Sequence, residues 1–242
     1  MDRVLNWKNI FLSFGGRISL INSVLLTTPI HALSSVKVPK GFIRSIDQVL
    51  VSFIWDPKKK GKRHWASGKR LARPVVEGGI NVRFFKDTIP CMHSKLSWEV
   101  MEHKSLWGCS MYGNYLGDQY DFRHWASPLW ADISPIVDAM SHYSHRIIGE
   151  GNVLFWNHNW SGKVLAFPFC PATNMSFKEA CKYPNFIKIV LNKSQLDMCR
   201  LIEFSSEPDR LIFTPSYGHF TVRDYHRNFI MQEIGDDWNE IH

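Results

Sequence analysis

Residues 41–55, GFIRSIDQVLVSFIW, place Phe42, Ile46, Val49, Leu50 and Phe53 at helical intervals and then run into Pro57 and a cluster of lysines. A 3.6-residue period of this strength commits the stretch to an amphipathic helix with one face in a core. Proline lacks the amide that a helix interior needs, and a block of cations cannot follow the apolar face inward, so the helix is expected to end at Trp55. A packed helix leading straight into a segment that must stay in water is the arrangement the rest of the chain has to accommodate.

That segment is dense. Between Lys58 and Val76 lie Lys58, Lys59, Lys60, Lys62, Arg63, Lys69, Arg70 and Arg73, with no Asp or Glu, and Trp65 sits among them. Exposed loops are often lysine-rich for solubility alone. Clustering without acidic neighbours, next to an indole face on which a base can stack, points instead to nucleic acid, and these nine residues are the candidate nucleic-acid-binding set. Specific base readout does not follow from such a run. The charge around it agrees: residues 1–100 hold 17 Lys+Arg against 6 Asp+Glu, while residues 101–242 hold 12 against 16, so the net +7 is concentrated at the N-terminal side. Binding to phosphates through that half would release counterions and weaken steeply with salt.

At 242 residues, 45% hydrophobic and 21% charged, the chain has the composition of a folded protein with a sizeable core. Its five cysteines (Cys91, Cys109, Cys170, Cys181, Cys199) are odd in number, widely spaced and without a C-x-x-C pair. A disulfide framework is not expected, and a reducing, intracellular compartment is. Arg3, Lys8 and Arg17 interrupt the N-terminal apolar residues, so neither a secretory leader nor a membrane span is expected there.

Taken in order, the pattern predicts a helix from about Gly16 to Thr27 stopped by Pro29, the 41–55 helix, and the basic segment as a loop or short extended piece. Gly78-Gly79 reads as a turn needing positive φ. Ile89, Met92, Leu96 and Val100 form the stripe of a further helix, with Asp87 as N-cap and Pro90 in its first turn. Residues 108–126, rich in Gly, Tyr and Asp and without a period, read as a linker between segments 1–107 and 127–242. Beyond it, Ser127-Pro128 opens a short helix that Pro135 interrupts, and HRIIGEGNVLFW (145–156) reads as a β-hairpin turning at Gly149–Asn152. Short helices are expected over 176–182 and 185–191, then an extended Phe220-Thr221-Val222, with Thr221 and Asp224 forming a capping box for a helix through Glu233. The expected fold class is α+β, mainly α: a helical N-terminal half and a mixed half with a short hairpin.

Catalytic chemistry finds little support. There is no G-x-G-x-x-G and no G-x-x-x-x-G-K-[ST]. His142 with His145, and Cys91 with His93, lack two further ligands at a recognisable spacing, so no metal is assigned. Gly235-Asp236-Asp237 copies a polymerase metal-turn tripeptide, but no strand precedes it and its carboxylates read as solvated. No Ser/His/Asp or Cys/His nucleophile signature stands out. Trp7, Trp55, Trp98, Trp156 and Trp160 sit in apolar patterns and are expected in cores rather than as stacking platforms.

Seven blocks then resemble, in order, the region following the polymerase core of plant LINE-type (non-LTR) retrotransposon reverse transcriptases. Trp7 is followed by Leu12-Ser13-x-Gly15-Gly16-Arg17-Ile18-x-Leu20-Ile21-x-Ser23-Val24-Leu25 and Pro29. Pro39 with Phe53-Ile54-Trp55, Trp65, and Pro74 with Gly78-Gly79-Ile80 look like that family's FLW, W and P…GGLG blocks. Lys95 with Trp98 resembles its K-W block. Gly149-Glu150-Gly151-Asn152 with Phe155-Trp156 and Trp160 resembles GDG…FW…W, and Gly218-x-Phe220-Thr221-Val222 with Tyr225 resembles G-x-FSVKSAY.

The resemblance implies a helical, thumb-like segment with the basic loop (1–107), a linker (108–126) and a connector (127–242) leading into a truncated start of the family's zinc-binding block. It implies an RNA-directed DNA polymerase whose palm, with its Mg²⁺-binding carboxylates, would precede Met1, whose zinc ligands would lie beyond His242, and whose ribonuclease H would lie further still. The fragment is then not an enzyme on its own and carries no cofactor. Its implied partners are RNA or DNA through the basic half and a palm domain supplied by a longer copy, with no membrane, and the expected location is intracellular and nuclear. Glu150, Ile80 and Phe213 stand where the family pattern has Asp, Leu and Trp, the mark of a drifting copy. The alternative expectation is a decayed retroelement remnant with no activity or only a protein-interaction role.

Overall fold

The computed structural model describes residues 12–55, 66–75, 78–116, 127–162, 165, 175–216 and 218–230. Within them the protein is α+β and mainly helical, with one two-stranded antiparallel sheet. The chain divides into two compact units, Met1–His93 with Tyr225–His242, and Ser94–Asp224.

The first unit opens with α1 (Phe14–Leu20), whose N-cap Ser13 accepts the Gly16 amide at 3.2 Å. The helix widens into a π-turn over Ile21–Leu25, breaks at Leu26, and resumes as α2 (Thr27–Ser35) at about 40° to its former direction. At the break the Thr27 and Thr28 hydroxyls donate to the Ser23 and Val24 carbonyls, at 2.7 and 2.9 Å. Pro29 therefore does not stop a helix. It lies in the first turn of a new one, where a missing amide costs little.

Helix α3 (Lys40–Trp55) buries Leu50, Phe53 and Ile54 with Ile21, Leu26, Ile30 and Phe85 in one core. Each such side chain contributes about 1.5–3 kcal/mol on burial. Phe42, first member of the predicted stripe, is about half exposed. Arg17 closes the far end of α3, its guanidinium donating to the Phe53 and Ile54 carbonyls at 3.5 and 3.4 Å.

Two expectations here are corrected. Part of the basic segment is helical: α4 (Gly68–Ala72) is capped by Ser67 and anchored by buried Leu71. Helix α5 (Phe85–Glu102) begins ahead of Asp87, and its cap comes from α3, whose Asp47 carboxylate accepts the Phe85 and Lys86 amides at 2.9 and 3.1 Å. Asp87 is thus in the first turn, and Pro90 lies inside the helix. The glycine turn is as expected at Gly78, with φ +78°, while Gly79 is required for space, since a Cβ there would lie 2.1 Å from the Arg73 carbonyl oxygen.

The division between the two units falls at Ser94, within α5. The apolar stripe explains it: Leu96 and Val100 pack with Trp130, Ile133 and Val137 in a core of their own. Residues 108–115 are helix rather than linker, forming α6 (Leu106–Tyr115) with Ser105 as N-cap, and residues 117–126 lie outside the described set. Gly108 marks a close approach: a Cβ on it would meet the Glu99 carbonyl oxygen at 2.4 Å.

Helix α7 (Pro128–His142) runs through Pro135 without interruption, because Trp130, Ile133, Ile136, Val137 and Met140 bury one continuous face. The predicted hairpin is also corrected. Strand β1 (Ser144–Ile147) pairs not with 153–156 but with β2 (Arg210–Phe213), in the register Ser144 to Phe213 and Ile147 to Arg210. Phe155, Trp156 and Trp160 fold into a separate aromatic core with Phe177 and Ile187.

Helices α8 (Phe177–Ala180) and α9 (Pro184–Val190) appear near their expected places, and a further helix, α10 (Lys193–Leu201), is opened by an Asn192–Gln195 capping box. Thr221 and Asp224 do form the predicted box, opening α11 (Val222–Tyr225), so Val222 is helical rather than extended. Trp98, Trp156 and Trp160 are buried and Trp55 is partly so, as core residues; Trp7 lies outside the described residues. No single helix among the described residues is long and apolar enough to cross a membrane.

Candidate nucleic-acid interface

Helical spacing brings Arg44, Asp47, Gln48 and Val51 onto one face of α3, and this face forms one side of a groove of about 630 Å³. The other side is made by Ser67, Lys69 and Ala72 on α4 and by Phe84, Lys86 and Asp87 at the start of α5. Ser67 holds α4 in register by accepting the Arg70 amide, and Leu71 ties it down twice over, its carbonyl accepting the Ile80 and Val82 amides at 3.3 and 3.1 Å. Asp47 fixes α5 against α3. The groove is therefore framed by backbone and carboxylate bonds rather than by packing alone.

Its chemistry is divided. Val51, Ala66, Ala72 and Phe84 give an apolar floor, and the exposed cations Arg44, Lys69 and Lys86 stand round it. Two carboxylates are present, but Asp47 spends its charge on the α5 amides. Burial raises the Asp47 pKa above the usual carboxylate range, and the Phe85 and Lys86 amides pull it back only in part. An apolar floor under a cationic rim suits a chain that is anionic along its backbone and flat and apolar in its bases.

Of the nine residues predicted to grip nucleic acid, Lys58, Lys59, Lys60, Lys62, Arg63 and Trp65 lie outside the described residues. Lys69 and Arg70 are exposed on α4, and Arg73 follows it half-buried. Among the described members of the set, Lys69 lines the groove and Arg70 and Arg73 do not. Arg44 and Lys86 were missed by sequence reasoning because neither belongs to the basic run. Their signal was positional: Arg44 lies three residues before Asp47 on the same helical face.

Over 176 residues the chain is 32% identical to a protein of Arabidopsis thaliana that is named, provisionally, as a ribonuclease H protein. The match takes in 68% of this chain and 28% of that relative, so the chain corresponds to well under half of its length. No protein-family model matches the chain, and no solved structure matches it.

The pairs weighed as metal ligands have other surroundings. His93 is buried, with Nε2 3.1 Å from the Ser34 carbonyl oxygen, and burial pushes the Cys91 thiol up to about 12, out of thiolate chemistry at neutral pH. His145 Nδ1 is 3.3 Å from the Thr214 hydroxyl, and no three His, Cys, Asp or Glu side chains converge among the described residues. Gly235-Asp236-Asp237 lies outside the described residues.

Proposed function

We propose that this chain is a non-catalytic, nucleic-acid-binding portion of a retrotransposon reverse transcriptase, which holds template or primer phosphates through its basic N-terminal half. The observation that carries this reading is the groove between α3, α4 and α5, where Arg44, Lys69 and Lys86 rim an apolar floor. Two features of the sequence support it: eight cations without a carboxylate between Lys58 and Val76, and the ordered blocks of the reverse-transcriptase resemblance. The name of the Arabidopsis thaliana relative also belongs to nucleic-acid chemistry. A palm supplied by a longer copy, and a nuclear location, are parts of the same proposal.

The groove is tested by the triple variant R44Q/K69Q/K86Q, which removes three exposed cations without touching the core. Fluorescence anisotropy with a short single-stranded RNA and its DNA equivalent should show affinity falling by roughly tenfold or more, as expected when phosphate contacts are lost. Equal binding by variant and wild type, with both folded by circular dichroism, would refute the groove as the contact surface.

A further inference from the structure

The second unit holds a cavity of about 320 Å³ whose polar wall has no part in the groove described above. Arg146 of β1 enters it beside His103, just past the end of α5, and His158, between Trp156 and Trp160 of the aromatic core. The Arg146 guanidinium donates to the Met101 carbonyl oxygen, and among the described residues no carboxylate lies within ion-pair distance of it. Glu102 pairs instead with Lys104 at 3.2 Å, and Asp209 accepts the Gly149 and Gly151 amides. Arg146 is half-buried and feels the Asp209 and Glu102 charges only from beyond contact, so its spare donors face the cavity with room for an anion to meet them.

The neighbours are set to serve the same anion. His158 Nδ1 accepts the Leu154 amide at 3.1 Å, which places the proton of the neutral ring on Nε2. Nε2 of His158 and Nε2 of His103 are both buried, with no hydrogen-bond partner among the described residues. The two rings lie 5.8 Å apart, and Tyr112 packs against His103 at 3.6 Å. Asn159 donates from Nδ2 to the Ser144 carbonyl at 2.7 Å, which fixes its amide so that Oδ1 remains, also buried and without a partner among the described residues. Guanidinium and imidazole donors ask for an anionic acceptor, whereas the Asn159 oxygen asks for a donor. A carboxylate offers only the first. A protonated phosphate offers both on one small group.

We propose that this cavity is a binding site for a phosphate group, with Arg146 as its charge partner, His103 and His158 as neutral donors and Asn159 as acceptor for the phosphate hydroxyl. The space beyond, walled by Trp130, Val137 and Leu211, accommodates an organic substituent, so the ligand is either free phosphate or a phosphate monoester such as a nucleoside 5′-monophosphate.

The test is calorimetric titration of the full chain at neutral pH in chloride buffer with inorganic phosphate, sulfate and a nucleoside 5′-monophosphate. The expected result is one saturable site for phosphate, with sulfate, which carries no proton at this pH, roughly fivefold weaker, as for loss of one hydrogen bond. Tighter binding of the nucleotide identifies a monoester as ligand, and equal or weaker binding identifies free phosphate. R146M should abolish the heat. Phosphate and sulfate binding equally, no saturable heat beyond that of chloride, or undiminished binding by folded R146M would overturn the proposal. Should R146M fail to fold, imidazole resonances of the wild type decide: saturable shifts of both His103 and His158 on adding phosphate uphold the site, and unmoved resonances refute it.

Discussion

Asp47 and Phe85 are 38 residues apart in sequence, yet the carboxylate of the first accepts the amide of the second at 2.9 Å, and the Lys86 amide at 3.1 Å. One side chain thus supplies the N-terminal cap of α5 from the middle of α3, and holds together the two helices that flank the basic groove.

Replacing Asp47 by Ala should cost about 1–2 kcal/mol in urea unfolding, the usual loss on removing a helix cap. Its pH dependence has a definite sign. The carboxyl pKa is raised in the folded protein, so between the ordinary carboxylate value and the raised one the folded state holds the extra proton. Stability from this group therefore falls as pH rises through that window. Asp47→Asn should remove that slope while keeping part of the cap.

The glycine pair after Arg73 separates two effects. At Gly78 a Cβ meets nothing within 4 Å, so Gly78→Ala should cost only the strain of a positive φ, about 1–2 kcal/mol. At Gly79 the Cβ would meet the Arg73 carbonyl oxygen at 2.1 Å, so Gly79→Ala must displace backbone and should destabilise the protein distinctly more. Paired chemical denaturation of the two variants measures the difference.

In the second unit one oxygen of Asp209 accepts both the Gly149 and the Gly151 amides, at 2.6 and 3.0 Å. Asp209→Ala should cost about 1–3 kcal/mol by leaving two amides without their acceptor. Hydrogen exchange should show protection lost first at Gly149 and Gly151.

His103 and His158 are pushed down to about 4 and about 3, by burial first and then by the Arg146 charge. Unfolded imidazoles titrate near 6.5. Stability from keeping these rings neutral is complete above that value and drains away as pH falls toward the folded values. Urea midpoints should hold steady above neutrality and decline from about pH 6.5 downward, and H103Q/H158Q should flatten that decline.

These relationships show what the sequence could and could not disclose. The amphipathic helix over 41–55, the α5 stripe and the Thr221–Asp224 box are local patterns, and local patterns were legible. The partner of β1 was not, because Gly149–Asn152 carries hairpin chemistry while the pairing residues, Arg210–Phe213, come some sixty positions later. Gly108 looked like linker composition, although it permits backbone contact between two helices. Pro29 and Pro135 looked like stops, since a helix broken at Leu26 and a helix with one fully buried face are facts of packing. For the candidate site the basic run was visible as charge, but Arg44, Lys86 and the capping role of Asp47 depend on which helices meet. Arg146 lay unnoticed within an apolar run for the same reason.

The most direct measurement is the salt dependence of binding to a short single-stranded RNA, compared between the wild type and a variant with Lys58, Lys59, Lys60, Lys62 and Arg63 neutralised. For single strands each phosphate contact contributes roughly 0.7 to the slope of log affinity against log salt. If the basic run grips phosphates, a steep wild-type slope becomes shallower by up to roughly 3.5 in the variant, together with weaker binding throughout. Identical slopes and affinities for the two proteins would contradict it.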